Sequence, residues 1–361
     1  MSRVYFATNR VFTGDAEEPF GPTPAPGNPP PIWTGYGEVV LKYPNRGDER
    51  YGLEGGMHID GPIVVEPGKP LVDTTMSVTM SRELAGASQA TRHVILFIHG
   101  FANPFRSAFH RIAELRDNYL PKTRAGAANE PLLFLFSWPS DGFVMPAREY
   151  YNSDRADAFK SGQALASALS ALIKALPDSA GGVPANLKLH LVAHSMGNYA
   201  LRAALQSLSQ VYTGALPVLF ENVFLMAADD DYDSLEKGRG LHPVCGLAKN
   251  VHVYHSTADL ALEISQTTMR NPQRLGWKGP KSLSKVPKNV TLVDCSNVSD
   301  TLSLEHAWHQ YYRQRQEVYE DVAAVIAGTA PGEIPHRTGI ARRFKLARRF
   351  YTGPDPASTF G

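Results

Sequence analysis

Continuous apolar runs alternate with amphipathic stretches through most of this chain. HVILFIHG (93–100) and LLFLFSW (132–138) are β-rich runs with no polar face, the pattern of strands buried on both sides of a parallel sheet. Between them, Ser107 to Leu120 sets Phe109, Ile112, Ala113 and Leu115 on one side of a helix. A longer stretch from about Asp154 to Leu176 keeps Ala158, Phe159, Leu165, Leu169, Leu172 and Ile173 at the helical period. LKLHLVAH then reads as a strand, Met196 to Leu208 as a helix, NVFLMAA, VHVYHS and VTLVDCS as strands, and a last helix ends near Ala327. Strands alternating with helices at this interval predict a doubly wound, mostly parallel α/β sheet, with ligand groups on loops at the carboxyl ends of the strands.

Both ends of the chain break this rhythm. PTPAPGNPPP (22–31) is excluded from helix and from central strand, so it is expected as a loop or surface arm between short extended segments at Val4–Ala7 and Glu38–Tyr43. RTGIARRFKLARRFYTG sets six basic residues between Arg337 and Arg349 around Ile340, Phe344, Leu346 and Phe350. It reads first as a solvated tail or a docked helix, and second as an amphipathic element that contacts anionic lipid. The expected division is therefore an N-terminal extension with edge strands (1–90), a catalytic core (91–330) and a basic tail (331–361).

Composition adds mainly exclusions. The 361 residues carry 36 Lys and Arg against 35 Asp and Glu, so no global field draws the protein to nucleic acid. The N-terminus turns polar at Thr8, Asn9 and Arg10 without the apolar core of a signal peptide, and no run approaches the roughly 20 apolar residues of a membrane span. A soluble, cytoplasmic protein is expected. Cys245 and Cys295 are too few for a disulfide scaffold and read as buried small hydrophobes. No P-loop, zinc-binding or dinucleotide motif is present, so chemistry without a cofactor is expected.

The strongest chemical signal is AHSMG (193–197), between an apolar strand and a helical pattern. A serine in a tight strand-to-helix turn needs small residues two positions to either side; Gly197 meets this, and Ala193 stands where glycine is commoner. HGF (99–101) ends the first strong strand, and the backbone N–H groups of Phe101 and Met196 are the expected oxyanion donors. A serine hydroxyl needs a histidine to take its proton and a carboxylate to hold that histidine. With a serine at such a turn, acid and then base follow it in sequence. Asp259, in a short loop after VHVYHS, ranks ahead of the cluster Asp229, Asp230 and Asp231. His309 ranks ahead of His306 as the base, because it stands near the start of the last helix's apolar repeat.

These residues resemble the bacterial esterase/lipase-like branch of the α/β-hydrolases, a family of unknown function. The resemblance runs from FATNR through YGLEGG, FIHGFANPFRSAFHRIAEL, FSWPSDG, HLVAHSMGN, VFLMAADDD and YHSTADLALEIS to HQYYRQRQEVYEDV, and so covers most of the chain. The family's H-x-Y-Y motif is matched at His309, Tyr311 and Tyr312, and its following helix at Glu317, Val318 and Asp321; Trp308 replaces the usual glycine before the histidine. The resemblance implies a hydrolase of the α/β-hydrolase fold, expected with an N-terminal extension and a loop lid, and says little of its substrate; the first reading is an esterase acting on small or medium acyl esters. Residues 137–152 and 270–283, which combine Trp or Tyr with Pro and Gly, are expected to line or cover the cleft. An acyltransferase, thioesterase or amidase with the same triad, or a hydrolase-fold binding protein without turnover, are the alternatives.

Overall fold

The computed structural model describes residues 2–42, 50–64, 91–120, 131–143, 147–175, 183–184, 186–211, 217–299 and 308–348. His306 lies outside them. The strands are β1 (Ser2–Thr8), β2 (Arg10–Phe12), β3 (Phe20–Pro24), β4 (Trp33–Leu41), β5 (Tyr51–Ile59), β6 (Arg92–Ile98), β7 (Leu132–Ser137), β8 (Leu187–His194), β9 (Phe220–Met226), β10 (Ala248–His255), β11 (Val290–Asp294), β12 (Arg337–Ile340) and β13 (Arg343–Leu346). Eleven form one sheet in the order β12-β13-β11-β10-β9-β8-β6-β7-β1-β4-β5, while β2 and β3 pair separately. The central run from β11 to β1 is parallel; β4 and β12 run against their neighbours.

The absence of a polar face in the apolar runs is explained by burial on both sides. Along β6, Val94, Leu96 and Ile98 enter one core and Ile95 and Phe97 the other. The first core is closed by helices α2 (Ala147–Lys160), α3 (Gly162–Ala175) and α4 (Gly197–Val211), the second by α1 (Phe105–Tyr119) and α6 (Gln316–Ile326); α5 is Leu260–Thr267. β6 lies between β7 and β8, so the winding of the sheet reverses there, the place where α/β sheets bind ligands, and the loops after β6 and β8 meet at that point. Cys245 and Cys295 are buried and unpaired. Among the described residues no helix is long and apolar enough to cross a membrane.

The single helix expected over 154–176 is two. Ser161 Oγ hydrogen-bonds the Asp157 carbonyl (2.7 Å) and Asn9, and back-bonding of this kind bends helices. At Gly162 an added Cβ would lie 2.5 Å from that of Ala203, so α3 closes on α4 where only glycine fits.

The described part of the basic tail is not helical and pairs with the sheet, with most of its side chains exposed. β12 and β13 form a hairpin, and β13 extends the sheet beside β11. Arg337 grips Asp321 through two bonds of 2.7 and 2.6 Å with both side chains fully buried. Arg342 donates to the carbonyls of Leu283, Pro287 and Val290.

Candidate functional site

β8 ends at His194 and α4 begins at Gly197, which leaves Ser195 and Met196 to make the turn. Ser195 has φ 52°, a conformation that side chains disfavour and that nucleophile turns adopt. Its N–H donates to Met226 O (2.9 Å), and its carbonyl accepts from the Asp229 N–H (3.1 Å) and from Asn198 Nδ2 (3.0 Å). A Cβ on Gly197 would sit 2.5 Å from His99 O and 2.6 Å from Ile98 O, so glycine is required there. Ala193 lies in register with Ile98 and Leu225, fully buried, and its methyl fills core space.

The turn after β6 runs against this serine: a Cβ on Gly100 would lie 2.8 Å from Ser195 Cβ. The Gly100 carbonyl accepts from His99 Nδ1 and from Asn103 Nδ2, each at 2.9 Å, and Asn103 Nδ2 also reaches Phe101 O at 2.8 Å. In a trans peptide the carbonyl and the next N–H point opposite ways, so holding Gly100 O turns the Phe101 N–H to the other side of the turn. The Ala102 N–H donates to Asp154 Oδ2 (3.2 Å). Burial pushes the Asp154 carboxyl up to about 6, although Ser140 and the N–H groups of Asp141 and Ala102 oppose the shift. Neither the Phe101 nor the Met196 N–H donates to an acceptor among the described residues. Met196 directly precedes α4, at the helix N-terminus where N–H groups have no partner within the helix.

Asp259 caps α5 with one carboxylate oxygen and holds a histidine with the other. Oδ1 accepts the Leu262 N–H at 3.0 Å; Oδ2 lies 2.7 Å from His309 Nδ1. Asp259 is fully buried, which raises its carboxyl, and His309 pulls it back. Trp308 carries φ 56°, which explains a preference for glycine before this histidine. His194 Nε2 donates to the His309 carbonyl (3.2 Å), and its ring centroid lies 4.7 Å from that of His309 and 4.2 Å from Tyr312. Burial holds His194 well below its ordinary pKa, and therefore neutral.

The structure thus brings His309 and Asp259 together and, through His194, sets His309 beside the Ser195 turn. Asp229, Asp230 and Asp231 meet no histidine among the described residues and do not form a solvated turn. Asp229 accepts from Tyr151 and Ser265, both at 2.8 Å, Asp230 pairs with Arg202, and Asp231 pairs with the buried Arg274. The two segments expected around the cleft meet where Asn271 Nδ2 donates to Tyr151 Oη (2.8 Å), and the Tyr151 ring lies 6.0 Å from that of Phe101. Residues 144–146 of the first segment lie outside the described residues. Trp138 is core, stacked on His99 and donating to its carbonyl at 2.8 Å. Sequence reasoning assigned no role to Arg10, Asn103, Asp154 or His194; the visible signal for Arg10 was a polar run directly after an apolar strand.

Among known proteins, an uncharacterized protein of Nostoc sp. (strain PCC 7120 / SAG 25.82 / UTEX 2576), alr1448, is 31% identical over 164 residues, 41% of this chain and 39% of its own length. The chain therefore matches well under half the length of that curated relative. No solved structure matches. The model of a family described as alpha/beta hydrolase of unknown function (DUF900) matches residues 76–327. This range spans β6 to α6 and holds the Ser195 turn, Asp259 and His309. With the doubly wound sheet, the match identifies the chain as a member of the alpha/beta hydrolases of unknown function, DUF900.

Proposed function

We propose that the protein is a serine hydrolase of carboxylic esters that works through an acyl-enzyme. The observation that carries this reading is the 2.7 Å contact between His309 Nδ1 and the buried Asp259, set beside a serine in a strained strand-to-helix turn. His309 Nε2 takes the Ser195 proton as Oγ attacks the ester carbonyl, and Asp259 fixes the tautomer and stabilises the imidazolium that forms. The tetrahedral oxyanion is met by the N–H groups of Phe101 and Met196, each worth about 3–4 kcal/mol in such sites. Collapse expels the alcohol, which takes the proton from His309. Water then attacks the acyl-serine with His309 again as base and releases the acid.

A series of p-nitrophenyl esters of graded acyl length, assayed with wild type and Ser195→Ala, tests the reading. Turnover by the wild type that disappears in the variant is expected. Equal turnover by both proteins would contradict it, and labelling of Ser195 without ester turnover would move the substrate to a thioester or amide.

A further inference from the structure

The run Thr8-Asn9-Arg10 follows the apolar strand β1, and all three residues are fully buried. A guanidinium in the interior is costly unless its donors are met. Arg10 has no ion-pair partner among the described carboxylates. Its donors go instead to β3, to the end of β7 and to the loops after β6 and β7. Nε donates to Ser137 Oγ (3.0 Å), Nη1 to the carbonyls of Gly21 and Ser140 (3.2 Å each), and Nη2 to Asn103 O (2.7 Å). Nη2 also faces His99 Nε2 at 3.5 Å, with Ser137 Oγ 3.2 Å from the same nitrogen.

These contacts act in one direction. Donors at His99 Nε2 leave the ring's hydrogen on Nδ1, and Nδ1 donates to Gly100 O. The bond to Asn103 O anchors the residue whose amide holds Gly100 O and Phe101 O. Both routes end on the Gly100–Phe101 peptide, whose carbonyl direction sets the aim of the Phe101 N–H. A five-donor planar fork suits this task, since several acceptors at fixed angles are tied by one rigid group, which an ammonium cannot do.

We propose that Arg10 is a positioning residue that fixes the aim of the Phe101 N–H toward the oxyanion, an inference that rests on the reading of Ser195 as the nucleophile of an ester hydrolase. Arg10 touches no reacting atom, so its removal acts on the transition state and leaves ground-state binding alone.

The test compares Arg10→Ala, Arg10→Lys and wild type by kcat and KM on a p-nitrophenyl ester, by affinity for an arylboronic acid that forms a tetrahedral adduct on serine, and by thermal midpoint. A misaimed donor is expected to lower kcat on the order of a hundredfold, to weaken the boronic acid in parallel, and to leave KM within about threefold. Millimolar guanidinium is expected to restore part of the kcat of Arg10→Ala. Arg10→Lys, which keeps charge and stem but loses the fork, is expected to stay folded and show the same kcat loss. Unchanged kcat in a folded variant, a loss confined to KM, or unfolding of both variants would overturn the positioning role and leave the esterase reading intact. A wild type that neither turns over esters nor binds the boronic acid would remove the esterase reading, and this inference with it.

Discussion

At the Ser195 turn a left-handed φ meets a backbone neighbour in Gly100, and the adjacent His194 bonds the carbonyl of a histidine held by a buried carboxylate. Ser195→Ala is expected to keep the fold and lose about a million-fold in ester turnover, the usual cost of deleting a triad nucleophile. Circular dichroism beside the ester assay checks both halves. Asp259→Asn isolates the other carboxylate oxygen, because asparagine caps a helix as well as aspartate. The α5 cap is therefore kept while His309 loses its tautomer guide, and kcat is expected to fall on the order of ten-thousand-fold. Asp229→Asn disturbs Tyr151, Ser265 and Arg274 and is expected to lower the thermal midpoint more than the rate. The reverse ranking in those two assays would move the acid to Asp229. The pairing of Asp259 with His309 was legible because the expected order of acid and base along the chain narrows the search. Arg10 was not, because its acceptors lie as much as 130 residues away and only the folded loops bring them to it.

Two elements bear on how the site is carried. The turn between β8 and α4 closes on β6 so tightly that Gly197→Ala drives a methyl into His99 O and Ile98 O. Overpacking of this kind costs about 1–3 kcal/mol, and loss of ester turnover is expected with it; a variant of wild-type rate and midpoint would contradict the account of the turn. The β12–β13 hairpin buries Arg337 against Asp321, which also accepts from Tyr254 Oη (2.5 Å). Arg337→Ala leaves that carboxylate unpaired and is expected to cost about 3–5 kcal/mol, read by urea denaturation. Strands β6 to β11 were legible as long apolar runs. The hairpin was not: Arg343, Phe344, Lys345 and Leu346 do alternate with period two, but four residues are too few to separate that from a helix face. The break at Ser161 was equally hidden, because the apolar period runs on through it and only the approach of α3 to α4 requires Gly162.

Across the whole molecule, neutral histidines set the response to acid. A chain from His93 through His190 and Asn222 to His252 crosses four strands at the end of the sheet away from Ser195. Burial pushes His190 and His252 down to about 3 and lowers His93, His99, His194 and His255 as well. A base with a depressed folded pKa binds fewer protons when folded, so its stability is complete above about pH 6.5 and is lost as pH falls toward the folded value. Glu18, Asp154, Asp157, Asp230 and Asp259 are raised and act with the opposite sign, losing stability as pH rises through their folded values. His190 and His252 are moved further from their ordinary value than Asp154 and Asp230 are from theirs, so the thermal midpoint is expected to fall from pH 7 to pH 4, and a flat or rising profile would contradict this. The central claim is that this fold delivers one activated serine, and its most direct measurement is peptide mapping after treatment with a fluorophosphonate. The account predicts a single adduct on Ser195 whose rate of formation collapses in His309→Ala; no adduct, or an adduct at Ser195 formed equally fast without His309, would contradict it.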